Sequence, residues 1–155
     1  MPGNLNKQRR FLLPPTVLLA SILLILALHR WLPLADLWGS AGRAIGIATI
    51  LVALGVNIYC ALEFRRRQTT IIPFHQSTAL IATGLYRYSR NPIYLSMVVL
   101  LGGLAITLGT ATPWIVPPLF AVVISRLFIE KEEAMLADAF GRQYLDYCRR
   151  VRRWF

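Results

Sequence analysis

The chain has 155 residues, 56% of them hydrophobic and only 15% charged, with a formal net charge of +10. Soluble domains carry about 25% charged residues, whereas here no Lys, Arg, Asp or Glu falls within residues 11–28, 44–62 or 92–125. This pattern excludes an ordinary soluble domain and predicts an all-α integral membrane protein: about four transmembrane helices, a cytosolic loop and an amphipathic C-terminal helix.

The first span is expected over residues 11–32, with Pro14 and Pro15 in its first turn, where proline is tolerated. Its apolar part is too long for the core of a signal peptide. His29, Arg30 and Trp31 come after it rather than small residues, so it reads as a retained span. A second span covers residues 42–62, opening on Gly42-x-x-x-Gly46, a spacing that permits close helix packing. Asn57 within it is expected to hydrogen-bond a neighbouring helix. Residues 63–91 form a long polar segment, but Ile71, Ile72, Phe74, Leu80, Ile81 and Leu85 make it too apolar for disorder. It is expected to pack against something, a ligand included.

Residues 92–125 are uncharged throughout. As one helix they would extend roughly 50 Å, against a hydrocarbon core of about 30 Å, so the sequence "LGTATP" at 108–113 is read as the turn of a short hairpin. Pro117 and Pro118 are expected to interrupt and kink the fourth span, leaving a gap toward lipid. Beyond Arg126 comes a charged amphipathic helix, with Gly141 an awkward interior residue, that either lies along the membrane or covers the polar segment. The natural division is residues 1–62, the two amino-terminal spans, and 63–155, a functional core.

With four spans, fifteen of the seventeen Lys and Arg residues fall on one side. The positive-inside rule makes that side cytoplasmic, with both termini inside. Topology therefore explains the basic charge without nucleic acid. No phosphate loop, dinucleotide fingerprint or HExxH motif is present, and His29 and His75 stand apart, so no metal is expected. Cys60 and Cys148 match no metal or disulfide spacing and read as bystanders. No ionisable residue lies at mid-depth in the spans, which counts against a transporter.

Two polar features remain at the cytoplasmic face. One is the knot "GLYRYSRNPIY" at 84–94; the other is the acidic group Glu130, Glu132 and Glu133, three of only seven acids in the chain. On composition alone this acidic group is equally well read as a solvated helix start. The knot, the hairpin and then "EEAMLADAFGRQYLDYCRRV" together resemble the isoprenylcysteine carboxyl methyltransferase family and the wider group of membrane phospholipid methyltransferases. The resemblance covers about residues 68–151.

That resemblance implies a methyltransferase using S-adenosyl-L-methionine at the cytosolic membrane surface, beneath a closing C-terminal helix. By position, its cofactor site would comprise Thr78, Ala79, Leu80, Ile81, Tyr86, Asn91, Pro92, Ile93, Tyr94, Glu132 and Glu133. Separately from that carry-over, Arg90 or Arg126 is expected to hold a lipidic acceptor entering from the bilayer. The chemistry is apt: a carboxylate accepts from a ribose or pairs with a cation, and tyrosine faces attract a sulfonium. Two positions depart from the family pattern. Asn91 replaces its usual histidine and cannot titrate, and Phe128 stands where an arginine that faces the substrate carboxylate would fall.

Methyl transfer to a carboxylate needs no general base, only alignment and desolvation. The acceptor is expected to be a lipophilic small molecule or a prenylated carboxylate reaching the site from the membrane lipids. A phospholipid amine acceptor and a non-catalytic scaffold for anionic headgroups stay open, as does the oligomeric state. The two polar patches, some forty residues apart, are expected to meet.

Overall fold

The computed structural model describes residues 13–66 and 80–155. Within them the chain is helical. Helix α1 spans Pro14–Trp31, α2 Ser40–Arg66 and α3 Pro92–Leu108. A 3-10 turn at Thr112–Ile115 leads into α4, Val116–Ile124, and a π-helical turn at Ser125–Ile129 carries the helix on into α5, Glu130–Phe140. Helix α6, Arg142–Arg150, completes the order, and a 3-10 turn at Gly84–Arg87 precedes α3. Among the described residues three helices are long and apolar enough to cross a membrane, and α3 is a shorter apolar helix.

Helix α3 is the centre of the bundle. It packs most extensively on α2 and also meets α4 and α1, which pack on each other. Tyr94, Met97, Leu101 and Ala105, spaced three and four apart, form its buried stripe. Tyr94, Met97 and Leu101 enter a core that includes Ile25 of α1, Val116, Phe120 and Ile124 of α4, and Phe128 and Ile129 of the π-helical turn. The outer faces of α1 and α2 carry exposed Leu19, Leu23, Ile45, Leu51, Val52 and Ile58. In water such a surface would be unstable; against acyl chains it is the expected outer layer of an integral membrane protein.

The α2–α3 crossing depends on glycine. A Cβ on Gly46 would stand 2.6 Å from the Gly103 carbonyl oxygen, and one on Gly103 would stand 3.0 Å from that of Gly46. Bare backbone on both helices lets the axes approach as small-residue spacing predicts. Farther along the crossing, Asn57 Nδ2 donates to Ser96 Oγ, and Ser96 Oγ donates to the Ile93 carbonyl at 2.7 Å. Asn57 is thus interhelical, tying α2 to the first turn of α3.

At the opposite mouth of the bundle from the 84–94 knot, the loop after α1 clasps the hairpin turn. Leu37 N–H donates to the Gly109 carbonyl at 2.8 Å, Trp38 Nε1 to Ile106 at 2.8 Å, and His29 shares a 2.9 Å hydrogen bond with Thr110. His29 is therefore satisfied as a structural group.

Three expectations are corrected. Pro117 and Pro118 do not interrupt the middle of the span: they sit in the first turn of α4, directly after the 3-10 turn at Thr112–Ile115, near the start of the helical run. The fourth span is not short either, because its helix runs from Thr112 to Phe140. The charged segment is likewise two helices rather than one. Gly141, at φ 50° and ψ −123°, ends α5 in a conformation that L side chains seldom adopt.

Replacing Gly46 with valine should force the α2–α3 crossing apart. Thermal unfolding in detergent should show a loss of about 1–3 kcal/mol, whereas Gly55→Ala, with nothing within 4 Å of its added carbon, should be near neutral.

Candidate active site

The site is built where α3 begins, α5 begins and the carboxy-terminal tail ends. Pro92 opens α3 and fixes the direction in which Tyr94 enters the bundle. On the other side the π-helical turn matters more. Its extra residue rotates the downstream helix by about 100° relative to a continuous α-helix. As a result Phe128 and Ile129 stay in the apolar core while the next turn presents carboxylates to α3.

The three glutamates take three different partners. Glu130 accepts from Arg126 Nη1 at 3.1 Å in an exposed i,i+4 pair. Glu133 is gripped by two arginines: Arg153 donates from Nε at 3.1 Å and from Nη2 at 2.6 Å, and Arg90 Nη2 lies 3.3 Å away. Glu132 accepts a 2.8 Å hydrogen bond from the hydroxyl of Tyr94, whose side chain is 7% exposed. Its partner is a neutral phenol. Among the described residues no cation pairs with Glu132.

The segment 80–91 forms the adjacent wall. Tyr86 is buried against Cys60, Ile81 and Phe64, with the Phe64 and Tyr86 rings edge to face at 5.9 Å. Burial raises its phenol well above the usual tyrosine range. From outside, α6 caps this wall: Tyr147 donates its hydroxyl to the Tyr86 carbonyl at 2.7 Å. Burial pushes the Tyr147 phenol up to about 12, so it stays protonated and able to donate at neutral pH. Leu80 and Ala82 pack on Tyr144, Tyr147 and Val151. Helix α6 therefore covers the described end of the polar segment, from Leu80 to Tyr86. Beside the wall, Val52, Gly55, Val56 and Tyr59 of α2 with Leu85 line a shallow apolar groove of about 280 Å³, open on its outer side.

Of the residues singled out from sequence, Thr78 and Ala79 lie outside the described residues, as do Ile71, Ile72 and Phe74. Tyr94 and Glu132 are joined directly. Pro92 and Ile93 form the first turn of α3, where Ile93 packs against both the main core and the Tyr86 cluster. Asn91 Nδ2 donates to the Arg153 carbonyl at 3.1 Å, so its amide grips the tail. Arg90 is committed to Glu133 and contacts Cys148 Sγ through Nη1, while its buried Nε has no partner among the described residues. Arg126 stands apart, its side chain 74% exposed. Phe128 is buried in the apolar core and contributes no polar group there.

Sequence reasoning missed Arg153, Tyr147 and Cys148. The arginine had an adequate topological explanation, and nothing in its neighbours marks it as Glu133's partner. Tyr147 lies in the matched carboxy-terminal motif, and its i,i+3 spacing from Tyr144 on a basic helix was the available signal.

These features define an all-helical membrane protein with a carboxylate-centred polar cluster at one mouth of its bundle. The profile of the phospholipid methyltransferase family matches residues 41–143, beginning inside α2 and running through α5. The chain belongs to that family of membrane methyltransferases. It is 36% identical over 62 residues to an uncharacterised protein of Haemophilus influenzae, 98% of which is covered by 40% of this chain. It is also 36% identical over 106 residues to protein-S-isoprenylcysteine O-methyltransferase B of Arabidopsis thaliana, covering 66% of this chain and 48% of the plant enzyme. No solved structure matches.

Tyr147→Phe should leave the buried Tyr86 carbonyl without its donor. The expected loss is about 1–3 kcal/mol in chemical or thermal unfolding, whereas Asp146→Asn on the exposed side of α6 should stay within about 0.5 kcal/mol.

Proposed function

We propose that the chain is an S-adenosylmethionine-dependent methyltransferase acting on a lipophilic acceptor at the cytoplasmic face of the membrane. The Tyr94–Glu132 hydrogen bond carries this reading. A half-buried carboxylate held by a neutral donor has no countercharge beside it, and burial makes an uncompensated charge unfavourable. Such a group suits a ligand that brings ribose hydroxyls or a cation, and S-adenosylmethionine brings both. The tyrosine rings at 86 and 94 add faces for a sulfonium. The bound cofactor supplies an electrophilic methyl group.

This chain's own residues hold and orient. Glu132 accepts hydrogen bonds, and Tyr94 fixes which of its oxygens is turned away. Tyr86, Asn91, Pro92 and Ile93, with Leu80 and Ile81, form the wall at the start of α3. Thr78 and Ala79 enter as family positions. Glu133 belongs to the same cluster through Arg90. Arg90, with an Nε–H unpartnered among the described residues, and the exposed Arg126 are the cations available to an acidic acceptor. The open apolar groove between α2 and Leu85 suits its hydrocarbon portion. A carboxylate acceptor needs no proton removed, which agrees with Asn91 standing where a titrating side chain is absent. The excess of basic residues at this mouth supports a cytoplasmic site with both termini inside.

A phospholipid amine is the second reading. It is favoured by the family match and by Glu132 itself, which pairs with no cation among the described residues and is able to receive a proton from an ammonium group.

Calorimetry on the protein in nanodiscs should show binding of S-adenosylhomocysteine, weakened about tenfold or more in Glu132→Ala. Incubating labelled cofactor with membrane lipid extract should label a base-labile ester for a carboxylate acceptor and a base-stable methylamine for a phospholipid amine. Absence of binding by the wild type would leave a non-catalytic membrane scaffold as the better reading.

A further inference from the structure

The carboxy-terminal tail is held by more than one kind of bond, and each falls on the wall of the proposed site. Arg90 N–H donates to the Arg152 carbonyl at 3.0 Å, and the side chain of Asn91 donates to the Arg153 carbonyl at 3.1 Å. Ser89 Oγ reaches the same carbonyl at 3.4 Å and accepts from Asn91 N–H at 3.1 Å. Ser89 is 3% exposed, so this is an internal seam. Val151 is buried with Tyr144 and Tyr147 on one side of the seam, and Trp154 packs against the core that contains Tyr94 on the other. Arg153 closes the arrangement with its two-pronged grip on Glu133, the neighbour of Glu132. That hydrogen bonding to Glu133 raises the guanidinium's proton affinity above its already high ordinary value, so the charge is permanent.

We propose that Arg153 is a positioning residue of the methyl-transfer site: it engages Glu133 so that Glu132 alone faces the ligand from Tyr94, and it fixes the tail across Ser89, Arg90 and Asn91 as one wall of the pouch. The inference rests on the cofactor reading and divides labour within the Glu-Glu pair. Glu133 is the anchor and Glu132 the ligand carboxylate. Without the grip, Glu133 retains only the longer contact to Arg90, and the tail keeps its backbone bonds to residues 89–91 but loses the side-chain anchor that holds it in register. A lysine at 153 supplies charge without the planar fork, so it restores the anchor only in part.

The test measures S-adenosylhomocysteine affinity by calorimetry, alongside tail release by carboxypeptidase trimming read by mass spectrometry, all in nanodiscs. Arg153→Ala should weaken binding about tenfold and speed trimming, Glu133→Gln should reproduce both effects, and the double variant should be no worse than either. Arg153→Lys should recover binding to within about threefold of wild type and keeps the test decisive where the alanine variant does not fold. Faster trimming with unchanged affinity would overturn the positioning role and leave the cofactor reading intact. No binding by the wild type would remove the reading itself, and with it this inference.

Discussion

A carboxylate emerging from an apolar helix must find a partner, and the lower half of this structure is organised by how three of them do. Glu130, Glu132 and Glu133 occupy the first turn of α5, where a helix that has been buried in hydrocarbon reaches the polar mouth. Arg126 takes the outermost glutamate in a solvent-screened pair that contributes little to stability. Arg90 and Arg153 take the third. The middle one meets a phenol, which satisfies one lone pair and neutralises nothing. Among the described residues Glu132 is thereby the glutamate of the three left without a cation.

Geometry makes that sorting possible. Without the π-helical turn, the same residues would continue the apolar stripe's register and aim the acidic face elsewhere. Without the glycine-lined α2–α3 crossing, α3 would stand farther from α2, and the Asn57–Ser96–Ile93 relay that steadies its first turn would be lost. Tyr94 is fixed from within by the core and from outside by the tail, since Trp154 packs on the same cluster. Structural elements distant in sequence thus converge on one phenol and one carboxylate.

Much of this was legible in the residues. Uncharged stretches located the helices, "LGTATP" located the hairpin turn, and the isolated Asn57 in an apolar span predicted an interhelical bond. The meeting of the 84–94 knot with the acidic group was anticipated from motif order. The failures depended on one-residue decisions. Pro117 and Pro118 are helix starters or helix breakers according to where the preceding turn ends, and composition does not fix that end. Gly141 reads as an awkward interior residue of one helix until its positive φ is seen. Arg153 was hidden among basic neighbours that already had a sufficient cause, and a side chain's partner twenty positions away leaves no periodic trace.

The claim on which the function stands is that Tyr94 and Glu132 act on one ligand as a unit. A double-mutant cycle with Tyr94→Phe, Glu132→Gln and the combined variant, read as the affinity for radiolabelled S-adenosylhomocysteine in nanodiscs, addresses it directly. A shared site requires a coupling energy above about 1 kcal/mol. Effects that add to within about 0.3–0.5 kcal/mol, or two single variants that bind as wild type does, would contradict it.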